Sequence, residues 1–194
     1  MPRAGLFGTA VVVALVVAAC SGAAPNTSFD PSSACTTNGR MPGAYPDLEA
    51  LLPRTYESAP PATVDSGRNC TKDALGPLAD NGIDGVRFAG ATWPLGGTTG
   101  LTVAVFEADG LDASKVRDFY LKGARATSHT DELTTSDATV GGQPAKRLDV
   151  LQTDGTGQTV VAWPAGAPGR VMVLLASDLG DARVLEALDA VAGG

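Results

Sequence analysis

Three cysteines, one histidine and a set of acidic turns are the residues with which this chain could do chemistry. Cys20, Cys35 and Cys70 stand among 194 residues, and His129 is the single histidine. A metal held by soft ligands usually takes two close pairs of Cys and His side chains. No second pair exists here, so no metal site is expected. A Ser-His-Asp triad would have to use His129, which lies in the polar stretch "ATSHTDEL". A lone histidine in such a loop is far more often incidental than catalytic. The sequence has neither the Gly-x-Ser-x-Gly elbow nor a Ser-x-x-Lys pair. It also lacks a Walker A motif and a Gly-x-Gly-x-x-Gly fingerprint. No cofactor and no catalytic residue are therefore expected. The turns "EADGLD" (107–112), "QTDGTG" (152–157) and "SDLGD" (177–181) offer oxygens. None has the ligand spacing of an EF-hand loop, and Asp and Gly also suit caps and turns for backbone reasons.

The elements around Cys20 explain that cysteine best. Arg3 precedes an apolar run from Leu6 to Val17, about twelve residues long. A membrane-crossing helix needs roughly 20, whereas a signal-peptide core is shorter and is followed by small residues. The run ends Val17-Ala18-Ala19-Cys20. This resembles the lipobox of bacterial lipoproteins: an aliphatic residue, two small ones and an obligatory cysteine. The resemblance covers the leader alone. It implies that residues 1–19 are removed and that Cys20 becomes a diacylglycerol-modified N-terminus. It further implies anchoring on the outer face of the cell membrane by at least two acyl chains, enough for stable attachment. Setting Cys20 aside for lipid leaves an even pair, and an exported domain meets an oxidising compartment. A Cys35–Cys70 disulfide is then expected. It would close a 36-residue loop worth about 3–4 kcal/mol in the chain-entropy model.

Composition agrees with export of one globular unit. Hydrophobic residues make up 44% and charged residues 18%, a folded rather than disordered balance. The formal charge of −7 argues against nucleic acid as a partner, since phosphate selects basic surfaces. Only four lysines stand against ten arginines, and Ile83 is the one isoleucine. This usage resembles that of GC-rich bacteria such as actinobacteria. Residues 20–34 are small, polar and Pro-containing and read as a tether. Residues 35–84 read as irregular, with short helices at "YPDLEALLP" (45–53) and after Thr71. The Asn-x-Ser/Thr patterns at Asn26 and Asn69 are expected to be chance.

Residues 85–194 hold the most ordered pattern. Trp93-Pro94 matches Trp163-Pro164 at an offset of 70, and the offset becomes 69 beyond the turn. There Asp112 matches Asp181, while Val116 and Phe119 match Leu185 and Leu188. Each unit reads as a strand ended by Pro, a Gly-rich turn, a second strand and an Asp-capped helix. "LTVAVF" and "VMVLL" lack alternation and are expected to be buried central strands. Between the units, "ELTTSDATV" and "QPAKRLDVLQ" flank Gly141-Gly142, a hairpin signal. The expected fold is α+β: about six antiparallel strands in the order ββα–ββ–ββα, with helices on one face. That order resembles the topology of PsbP-like proteins, which implies a fold and carries no function.

Trp93 and Trp163 are candidate ligand contacts, since indoles suit sugars and lipids. Core packing explains matched tryptophans at strand ends at least as well. The expected function is a membrane-anchored envelope lipoprotein whose non-catalytic domain binds a small apolar ligand or an envelope protein. The alternatives are a lipid-anchored hydrolase with a carboxylate site and an accessory subunit of an envelope complex.

Overall fold

The computed structural model describes residues 29–193. Cys20, Asn26 and the leader lie outside the described residues. The chain forms one antiparallel sheet of eight strands in the order β1-β2-β3-β4-β8-β7-β6-β5. The strands are β1 (Gly39–Met41), β2 (Thr63–Asn69), β3 (Val86–Gly96), β4 (Thr99–Glu107), β5 (Thr130–Val140), β6 (Gln143–Gln152), β7 (Gly157–Pro164) and β8 (Arg170–Ser177). The helices are α1 (Pro46–Glu49), α2 (Lys72–Leu75), α3 (Pro77–Asp80), α4 (Ala113–Arg125) and α5 (Asp181–Ala192).

Two features correct the expected fold class. The sheet has eight strands rather than six, because β1 and β2 form within the stretch 35–84 that reads as irregular. The segment "TVDSGRN" hides its strand character because its buried side chains are polar. Ser66 is fully buried and Arg68 is 4% exposed. Both are satisfied by segments distant in sequence. The Ser66 hydroxyl donates to Glu49 and accepts from the Tyr45 backbone N–H. Arg68 donates to the Ser33 carbonyl at 2.5 Å and to the Ser33 hydroxyl at 2.8 Å, and its guanidinium stacks over Phe29.

The second correction concerns layers: helices cover both faces of the sheet, not one. One core joins Ala91, Trp93, Val103, Val161, Trp163 and Leu174 to α5 and to the segment from Phe29 through α1. The other joins Phe88, Phe106, Leu148, Val160 and Val173 to α2, α3 and α4. This explains why β4 and β8 are apolar at successive positions: they lie at the centre and are buried on both sides. Phe29 belongs to the first core, so the packed unit reaches into the last six residues (29–34) of the expected 20–34 tether.

The internal repeat takes a definite form. Ala104 lies opposite Val173 where β4 meets β8, and these two residues are 69 apart, which is the repeat offset. The paired hairpins are thus arranged about a local two-fold axis through this pair. The helices break that symmetry. The connector from β4 to α4 buries Leu111 in the second core, whereas the connector from β8 to α5 packs Leu179 against the first. Asp112 caps α4 by accepting the Lys115 N–H at 2.9 Å. Asp181 is not the cap its match suggests; it is the first residue of α5 and pairs with Arg147 at 2.7 Å. Pro94 does not end β3 either: the ladder runs on to Gly96 through an irregularity in register.

Candidate ligand cavity

A cavity of about 600 Å³ lies between α4 and the sheet, on the side of the second core. Its size falls in the range of small-molecule sites, roughly 300–1,000 Å³. The apolar wall comes from Phe88 on β3, Leu148 and Val150 on β6, and Val160 on β7. Phe119 and Tyr120 of α4 contribute rings. The space exists because the next turn of α4 presents Gly123, Ala124 and Ala126, side chains too small to reach the strands. Asp73, Lys122 and Ala126 are exposed and form a rim.

Polar groups gather at one end of β5, β6 and β7. Thr130 lies opposite Gln152, and Gln158 lies opposite Val150. The Thr130 and Thr127 hydroxyls lie within 2.7 and 3.1 Å of the Ala124 carbonyl, which accepts from both. Gln152 is 6% exposed and faces the cavity. Among the described residues, no side-chain hydrogen bond involves its amide or that of Gln158. Strand alternation carries a legible signal for both: Leu148, Val150 and Gln152 share one face of β6, and Gln158 and Val160 share the same face of β7. A glutamine in phase with core residues marks an inward polar group.

The residues singled out from sequence lie elsewhere. Trp93 and Trp163 are 2% and 6% exposed in the first core, on the face opposite the cavity. Trp93 donates its indole N–H to the Ala59 carbonyl at 3.0 Å and meets Tyr56 edge to face. His129 is exposed beside β5. The Cys35–Cys70 disulfide forms, with a Cα–Cα distance of 5.3 Å. It adjoins the cavity wall through Asn69 and Thr71. Thr71 of the Asn69 glycosylation pattern is committed, since its hydroxyl caps α2 and accepts from Asn38.

Local bonds engage the acidic turns. Asp154 accepts from the backbone N–H and the hydroxyl of Thr156, and these bonds hold its carboxyl below the usual aspartate range. Asp178 accepts the Thr98 hydroxyl at 2.5 Å. Among the described residues, no group of three or more His, Cys, Asp or Glu side chains is placed to hold a metal ion. No described helix is long and apolar enough to cross a membrane. No protein-family model matches the chain, and neither does any curated protein.

Proposed function

We propose that this chain is a bacterial envelope lipoprotein, anchored through Cys20, whose domain binds a small, largely apolar ligand in the cavity beneath α4. The cavity itself carries the reading: a space of about 600 Å³ with an apolar wall and the amide of Gln152 facing into it. Apolar walls with a few placed polar groups are the usual make-up of ligand sites. The leader supports the address. If Cys20 is acylated, only residues 20–28 separate the lipid from the packed unit at Phe29. Nine residues reach at most about 30 Å by covalent geometry, which would hold the domain close to the bilayer that supplies apolar molecules. Among the described residues Asp73 is the one carboxylate in the cavity wall, whereas a carboxylate hydrolase works with a pair.

Two measurements test this. Mass spectrometry of the membrane-extracted protein should show an N-terminal Cys20 carrying acyl chains; an intact leader or a free Cys20 thiol would refute the anchor. Binding of an uncharged fluorescent dye should be saturable at about one per chain. Ala124→Phe places a ring in the cavity and should weaken that binding at least about tenfold, as expected when a pocket is filled. Unchanged binding in a folded Ala124→Phe variant would refute the site.

A further inference from the structure

We propose that the cavity takes an uncharged single-chain amphiphile, with a neutral carbonyl or hydroxyl group set against Gln152 and Gln158 and its hydrocarbon chain along the apolar wall. This rests on the ligand-binding reading above. Gln152 is 6% exposed, and its amide, which makes no side-chain hydrogen bond among the described residues, opens on the cavity. An amide both donates and accepts, and a ligand that covered it with hydrocarbon alone would leave it unbonded at a cost. A carbonyl or hydroxyl arriving with the ligand would satisfy it. Gln158 on the neighbouring strand adds a second free amide at the same end. Thr127 and Thr130 already share bonds with each other and with the Ala124 carbonyl.

Charge decides against ionic head groups. The two cations of the wall are engaged: Arg40 lies 3.5 Å from Asp65, and Lys122 lies 3.4 Å from Asp80. Lys122 also sits on the exposed rim. A carboxylate or phosphate carried in to Gln152 would be buried beside neutral amides with no counter-charge, which is strongly unfavourable. An ammonium group would meet the same difficulty, because Asp73 is exposed at the rim. The remainder of the wall, Phe88, Phe119, Leu148, Val150 and Val160, is suited to hydrocarbon.

The test compares head groups on one chain length. The purified protein is loaded with N-phenyl-1-naphthylamine, an uncharged dye. The dye is then displaced by 1-lauroylglycerol, laurate or dodecylamine, each below its aggregation concentration. Lauroylglycerol should act at about one tenth the concentration of either ionic analogue, the factor one well-placed hydrogen bond supplies. Gln152→Leu should weaken lauroylglycerol about 5–10-fold more than it changes binding of the dye, which has no carbonyl or hydroxyl to lose a partner. Equal displacement by laurate or dodecylamine, or an unchanged lauroylglycerol affinity in Gln152→Leu, would overturn the ligand class and leave the cavity a binding site. Failure of the dye to bind would overturn both readings.

Discussion

At the scale of single residues, charge is organised where strands meet. Glu107 ends β4 and has Arg87 opposite it on β3 and Arg170 opposite it on β8. Arg170 donates to it at 2.7 Å, and Arg87 also pairs with it. Partial burial pushes the Glu107 carboxyl up, but the hydrogen bonds from Arg87 and Arg170 outweigh this and hold it below the ordinary range. A carboxyl with a lowered folded-state pKa stabilises the fold above its unfolded-state value. That stability is lost as pH falls through the folded-state value. Glu107→Gln should therefore cost about 1–2 kcal/mol near neutral pH. The cost should vanish below the ordinary glutamate range of about 4. Urea unfolding at several pH values checks this, and a pH-independent cost would contradict it. The disulfide depends on a smaller detail. A Cβ at Gly85 would lie 2.6 Å from the Cys35 sulfur, so Gly85→Ala must displace the bridge. Cys35 and Cys70 were legible by parity, whereas the need for glycine at 85 arises only from their packing.

At the scale of elements, repeats and periodicity were legible where side chains were apolar. The strands β3 to β8, the Gly141-Gly142 turn and the caps at Thr71 and Asp112 all follow from local residue chemistry. The repeat misleads in the last helix. Leu185 matches buried Val116 in sequence but is 51% exposed, while α5 buries Val184, Ala187 and Leu188. Its phase differs because α5 packs on the opposite face of the sheet from α4. Helix α4 carries another exception, Gly123, at which an added Cβ would meet nothing within 4 Å. Gly123→Ala should stabilise the fold by about 0.5–1 kcal/mol through helix propensity, measured as a rise in the urea midpoint. A loss of stability would mean that the glycine serves the close approach of another group. Strand β2 shows the converse case. Arg68→Met should cost about 2–3 kcal/mol, because carbonyls it now satisfies lose their partner. It should also free the segment around Ser33 for proteolysis.

At the scale of the whole molecule, the sheet is a shared wall between two cores. Residues 85–194 hold the repeat, and the expectation that 35–194 form one globular unit extends to Phe29: the first core takes Phe29, Tyr45, Leu48, Leu52 and Tyr56 from the segment before residue 85. A chain of 85–194 alone would expose that face and lose β1 and β2. It should lack the cooperative urea transition of the full unit, with exposed apolar surface reported by dye binding. A sharp transition of equal midpoint would show the segment to be dispensable. Reduction of Cys35–Cys70 acts in the same direction, since the bridge ties the segment before β1 to the end of β2.

The sequence by itself determined the features that depend on near neighbours. These are the pairing of Cys35 with Cys70, the hairpins and the periodicity of α4, all set by side-chain type and short spacing. Only the tertiary structure decided what depends on distant partners. A polar strand became β2 because Glu49, Tyr45 and Ser33 satisfy its buried groups. The helices went to opposite faces as Leu111 and Leu179 sought different cores. Trp93 and Trp163 went into the core. The cavity formed instead where Gly123 and Ala124 leave a gap over Gln152 and Gln158, a property of two surfaces that meet only when the chain has folded.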